Sequence, residues 1–407
     1  MFKLTYKPKN LIESLLPILV FNWIFGHQLL QYPIKDFEFF QTFFYSILIV
    51  TFFYSALGYT MWYCYKLPWF SYQENIFFIT VIVNILILCV NFVLGWIFKN
   101  RSRIISMRCL RVDEKLRDLG MTINNQQAYN YSAKLTIFWI MSVFILNFIS
   151  TLWSHDRWHY LQNLAVVSTV QHAIHANSLV DLSFCSLIRH MELRFKNINS
   201  ALLKFQIIPF EVLSMSTNQF NQNEKIVGNR AILSRNTLKN FNYVLPILKN
   251  SHLELTSLCG EITQIFGLQL IMTISSSFIL ITTMLYNLYL LILNTEFTNT
   301  DKIYRVMIFV SWVINNGLKI IFINHTCSKT ISQWKQAGKI IHECEIKSQD
   351  ADFCRQIQQF SIQILQNPLY FSPCGLISLG YTLMRDLSGS ITTYLVILIQ
   401  MSNSDQH

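Results

Sequence analysis

TTYLVILIQMS, residues 392–402, is an apolar run interrupted by Thr393, Tyr394 and Gln400. On a helix advancing 100° per residue, Asp386, Ser390, Thr393, Ile397 and Gln400 follow one another at spacings of 4, 3, 4 and 3 and stack into a narrow stripe. In a bilayer such a stripe must meet a neighbouring helix or water, because an ionisable group near the membrane centre costs about 2.5–3.5 kcal/mol. Two readings follow: hydrogen-bonding glue within one chain, or the wall of a pore shared between copies.

The rest of the 407 residues supports a membrane setting. Hydrophobic residues make up 52% and charged residues 13%, about half the charged share of a soluble domain. Apolar stretches near 38–63, 75–98, 132–153, 163–188, 264–294, 303–325 and 373–401 each reach the ~20 residues that cross hydrocarbon as a helix. Helices are expected over strands, because barrel strands would read as short alternating segments. The fold class is therefore all-α: a polytopic membrane protein with seven transmembrane helices, read as one domain over 1–407. Residues 15–25 form a shorter apolar run beside Glu13, which suits an interfacial helix better than a span.

Charge sets the expected orientation. With the amino terminus inside, segments 1–37, 99–131, 189–263 and 326–372 hold 25 Lys and Arg, whereas the outer segments hold Lys66, Arg157 and Lys302. Basic residues favour the cytoplasmic side, so the amino terminus is expected to be cytoplasmic and the carboxyl terminus extracellular. That is opposite to a G-protein-coupled receptor. The net charge of +10 reflects this bias, and no basic patch with interleaved aromatics suggests nucleic acid. The nine cysteines form no CxxC pair and are read as reduced thiols.

Within 189–263, Leu248, Leu255, Leu258, Ile262 and Phe266 recur at helical spacing. They predict a helix that projects inward and continues into the fifth span. The Asn-rich stretch 214–236 reads as a loop. A cytoplasmic helix is expected around 349–366, broken by Pro368 before the last span. Asn324-His-Thr is a glycosylation sequon that the topology places inside, where it would stay unused.

The fourth span is the most polar, with Gln171, His172, His175, Asn177 and Asp181. His172 and His175 share a face at i, i+3, but Asp181 is their sole acidic companion in the span and no metal site is expected. Gln171, His172 and His175, with Tyr286 and Asn287 of the fifth span and Trp312 and Asn316 of the sixth, combine aromatic faces with amides. That chemistry suits a pocket for a polar or aromatic small molecule. No nucleophile–base pair, phosphate loop or metal-ligand cluster is evident, so neither an enzyme nor a cofactor is expected.

Thr393-Tyr394, five apolar residues and Gln400 resemble the TYhhhhhQF signature that closes insect gustatory receptors, with Met401 in place of Phe. SLLPILVFNWIFG, RVDEKLRDLG and HLELTSLCGEITQIFG resemble the family's amino-terminal segment, first inner loop and approach to the fifth span. The acidic residue the family commonly carries near Gly380 is missing.

The resemblance implies a tastant-gated, non-selective cation channel that takes a sugar or bitter compound. It further implies a homo- or heterotetramer in the plasma membrane of a chemosensory dendrite. Ser390, Thr393, Tyr394, Ile397 and Gln400 of the last helix would line or gate the pore. A secondary transporter, suggested by Asp181, and a metabotropic seven-helix receptor are the alternatives; the transporter lacks the paired repeats such folds usually show.

Overall fold

The computed structural model describes residues 8, 10–27, 39–65, 72–121, 124–153, 160–206, 224–293, 299–347 and 351–404. All regular structure among them is helical: α1 Leu11–Ser14, α2 Leu16–Ile24, α3 Phe39–Tyr65, α4 Tyr72–Ile97, α5 Lys99–Asp118, α6 Asn125–Trp153, α7 Tyr160–Gln206, α8 Glu224–Leu293, α9 Asn299–Lys347, α10 Ala351–Gln366 and α11 Tyr381–Ser404. A short 3₁₀ turn, Pro373–Gly375, precedes the last helix.

Seven long helices, α3, α4, α6, α7, α8, α9 and α11, occupy the seven apolar stretches. Among the described residues, three stretches are long and apolar enough to cross a membrane outright: Asn125–Thr151, Tyr243–Leu293 and Lys302–Cys344. The α4–α5 pair, bent by 64°, supplies a fourth. In α3 the described apolar part is the shorter Phe44–Thr60. The polar stripes explain why α7 and α11 fall short on composition. Helix α2 has nine residues and is too short to span, as residues 15–25 suggest. It lies against α6 and α7, with Trp23 exposed and stacked on Tyr45 at 4.9 Å.

Residues in the apolar helices sort by what surrounds them. Phe44, Leu48 and Phe52 of α3, Leu86 and Val93 of α4, Phe138 and Phe144 of α6, and Ile314 and Leu318 of α9 point outward, as helices facing acyl chains require. Polar groups point inward and hydrogen-bond to one another. Asn91 donates to Asn177 at 3.0 Å, Asn177 to the Asn84 carbonyl at 2.9 Å, and Gln269 to Asp181 at 3.1 Å. Burying such groups in hydrocarbon without partners would cost several kcal/mol.

Three helices run to more than twice the ~30 Å hydrocarbon thickness. With 47, 70 and 49 residues, α7, α8 and α9 run to roughly 70, 105 and 74 Å. Their extensions form a second bundle with α5 and α10. Its core includes Phe195, Leu248, Leu258, Ile341 and Phe360. The five residues whose spacing predicts a helix on the approach to the fifth span, Leu248, Leu255, Leu258, Ile262 and Phe266, lie on α8 and are all buried.

Two expectations change. Residues 224–236 belong to α8 instead of a loop, because Ile226, Ala231, Ile232 and Leu233 lend an otherwise polar stretch enough helix-forming character to continue the long helix; the rest of the expected loop, 214–223, lies outside the described residues. The last helix begins at Tyr381, not 373. Residues 373–380 instead form a turn whose Leu379 N–H donates to Phe371 O at 2.8 Å. Gly267 of α8 makes room for it: a Cβ there would lie 3.2 Å from Cys374 N.

Candidate functional site: the last helix and the fourth-span polar face

Helix α11 packs on α8 and α9, and its anchors lie at its start. The Gly380 N–H donates to Asn324 Oδ1 at 2.8 Å and the Tyr381 N–H to Ser328 Oγ at 3.1 Å. The Tyr381 hydroxyl lies 2.7 Å from His325 Nδ1. Gly380 adopts φ 155°, and a Cβ there would sit 3.3 Å from Ser328 Oγ. Asn324 is fully buried. The sequon reading missed its role, which is to hold the base of α11. Sequence offered one signal, an Asn placed one turn before Ser328 on the same helix face.

Beyond its base, α11 leaves a broad face uncovered by its own chain. Asp386, Thr393, Ile397 and Gln400 are exposed and Ser390 is half-buried, so the stripe does not serve as glue inside one protomer. The Ser388, Ser390, Thr392 and Thr393 hydroxyls donate to carbonyls one turn back, at 2.9–3.0 Å. This local bonding satisfies each proton and leaves oxygen lone pairs directed outward. Gln400 has a larger, exposed amide at the far end of the same stripe. Tyr394 differs from its companions: its ring meets Phe278 of α8 edge-on at 5.8 Å.

The polar residues of α7 divide between two sides. On one, Gln171 donates to Ser150 at 2.8 Å, His175 Nε2 lies 3.3 Å from Asn147 Oδ1, and the His175 ring stacks 6.5 Å from Trp312. Asn316 accepts from Ser277 at 3.2 Å and donates to the Trp312 carbonyl at 2.9 Å. Gln171, His175, Trp312 and Asn316 thus gather along the seam where α6, α7, α8 and α9 meet.

On the other side His172 stacks on Phe53 at 3.6 Å and Phe25 at 5.2 Å. The shared face expected of His172 and His175 is corrected here. Residues three apart differ by 60° on a helix, enough to direct the two rings to different neighbours. Tyr286 and Asn287 are half-buried on α8 and bond neither group.

Beside His172, a cleft lined by Val50, Phe53, Leu88, Thr169 and Ala173 encloses about 20 Å³, room for about one water molecule. Gln171 Oε1 and His172 Nε2 are buried without a hydrogen-bond partner. They are two of thirteen such side-chain atoms among the described residues, and a water or a ligand group could satisfy them.

Comparison with known proteins places this arrangement. The chain matches the 7tm Chemosensory receptor family over residues 15–404. It is 23% identical to gustatory receptor 28b of Drosophila melanogaster over 73% of this chain and 64% of that protein. It is 24% identical to the gustatory receptor for bitter taste 66a over 47% and 35%, and 25% identical to the gustatory receptor for sugar taste 43a over 41% and 38%, both of the same organism. The matches therefore span less than two thirds of these relatives' length. Its fold is similar to that of the insect olfactory receptor OR5 from Machilis hrabei, with a TM-score of 0.62 and 16% identity, covering 96% of this chain and 98% of that one; OR5 has also been solved in complex with eugenol. The chain belongs to the 7tm chemosensory receptor family, among the insect gustatory receptors.

Proposed function

We propose that this chemoreceptor is itself an ion channel, opened by a small tastant and passing cations without strong selectivity. The uncovered polar stripe on α11 carries the reading: a face of hydroxyls, one amide and Ile397 that the protomer leaves open needs a partner other than lipid. Four copies, identical or mixed with related receptors, would surround an axis. Thr393 and Gln400 would then form wet rings on either side of a ring of Ile397, which closes by excluding water. Ser390 continues the same wall, while Tyr394 steadies the helix through Phe278.

The tastant enters from the outer side, where Gln171, His175, Trp312 and Asn316 line one seam, and His172 with its small cleft lies across α7. Both sites are tight, so binding widens them and shifts α8 and α9, on which α11 rests. Tyr286 and Asn287 flank the outer end of α8. The chain works as one seven-helix unit, with the amino terminus cytoplasmic and the carboxyl terminus outside, in the plasma membrane of a sensory dendrite. Expression in a cell without taste components provides the test. Ligand-evoked current that survives G-protein blockade is expected, and current that depends wholly on G proteins contradicts the reading.

A further inference from the structure

Where the first turns of α6 face the carboxyl-terminal half of α7 lies a polar cavity of about 390 Å³, lined by Asn124, Gln126, Gln127, Asn130, Tyr131, Lys134, Arg189 and Leu193. Among the described residues no carboxylate lines it. Its volume falls within the roughly 300–1,000 Å³ typical of small-molecule sites. Lys134 is exposed. Arg189 lies 5.6 Å from the centre of the Tyr131 ring and pairs along α7 with Glu192, whose side chain is buried behind it.

The second observation is continuity. Gln127, Asn130 and Lys134 follow the spacing 3, 4 on α6, and the same row continues through Ile137, Met141, Phe144 and Phe148. All four apolar members are exposed, at 56%, 55%, 69% and 51%. One helix face therefore passes directly from a basic, amide-rich cavity to a stripe that meets acyl chains.

We propose that this cavity binds the headgroup of an inositol phospholipid. Gln126 donates to Asn130 Oδ1 at 3.1 Å and the Gln127 N–H to Asn124 Oδ1 at 3.0 Å; the remaining amide groups of these four residues answer ring hydroxyls, Lys134 and Arg189 answer phosphate, and the apolar row receives the acyl chains. A soluble phosphate would use the cations and leave the apolar row idle. The proposed orientation puts the cavity at the inner leaflet, where anionic lipids attract basic residues.

The test uses the full chain purified in detergent and reconstituted in phosphatidylcholine vesicles with and without phosphatidylinositol bisphosphate. Binding is read by intrinsic fluorescence and by native mass spectrometry of the released complex. Both leaflets carry the lipid, so the outcome is independent of orientation and of channel activity. Lys134→Ala is expected to weaken binding about fivefold, and Lys134→Ala with Arg189→Gln further, at about fivefold per cation. Ile137→Ser with Met141→Ser should weaken the lipid but not free inositol trisphosphate. Lys134 is exposed, so its variant keeps the fold; a matched melting profile verifies this. Equal binding by wild type and Lys134→Ala, or free inositol trisphosphate binding as tightly as the lipid, overturns the proposal.

Discussion

Arg194 of α7 and Asp113 of α5 meet as a two-pronged ion pair, Nε to Oδ1 at 2.7 Å and Nη2 to Oδ2 at 2.6 Å, with both side chains almost fully buried. The guanidinium also donates to the His190 carbonyl at 2.9 Å. A planar fork suits a carboxylate in this way, and the pair ties α5 to the carboxyl-terminal half of α7. Removing one partner strands the other charge in an apolar setting. Asp113→Ala is expected to cost about 3–5 kcal/mol, whereas exchanging both residues for apolar ones of similar volume restores most of it. Thermal melts of the purified single and double variants check this.

His252 gives the second bundle a pH dependence. It lies on α8 roughly 18 Å before the apolar stretch at 264–294, among Phe195, Trp334 and Phe360. Burial depresses its pKa to about 4, and a hydrogen bond involving the Trp334 backbone opposes the shift. The unfolded chain takes up a proton near pH 6.5 while the folded chain resists. Stability is therefore fully present above about pH 6.5 and falls as pH drops toward about 4, by on the order of 3 kcal/mol. His252→Phe should melt with a smaller loss than wild type between neutral and mildly acidic pH.

The anchor at the base of α11 predicts a rescue. Gly380→Ala pushes a methyl toward Ser328 Oγ and strains the backbone, at about 1–3 kcal/mol. Tastant-evoked current should fall, and adding Ser328→Ala should recover part of it. Asn324→Ala, which leaves the Gly380 N–H without its acceptor, should impair current with no such recovery. Whole-cell recording beside surface labelling separates gating loss from lost protein.

The seam around α7 predicts a change in sensitivity. His175→Ala and Trp312→Ala should each move the half-maximal tastant concentration, by about tenfold for a buried aromatic contact worth about 1.4 kcal/mol. Asn287→Ala, which lies apart from that seam, should shift it less. Dose–response curves in one cell line measure all three.

Much of the fold was legible because membrane helices write their environment in composition. The seven apolar stretches hold seven long helices, and the row from Leu248 to Phe266 lies on a helix as its spacing predicts. The polar stripe on α11 could also be read from its spacing. What escaped depended on neighbours. The position of α11's first turn follows from the backbone at Gly380 and from Asn324, 56 residues earlier, and no local pattern records that bond. His172 and His175 look like one face until α2 and α3 are placed on one side of α7 and α6 and α9 on the other. The length of α8 before residue 237 was hidden because Asn, Arg and Gly228 interrupt the few apolar residues there, and the helix is part of a much longer one.

The most direct test of the pore assignment is accessibility along α11. Thr393, Ile397 and Gln400 would be changed singly to cysteine, with Leu395 and Leu398 as controls, and treated during tastant application with a charged, water-soluble thiol reagent. The account predicts that current changes irreversibly at Thr393→Cys and Gln400→Cys, at Ile397→Cys chiefly in the open state, and at neither control. Equal reactivity around the helix, or none at the stripe positions in channels that still conduct, would place that face against lipid and contradict it.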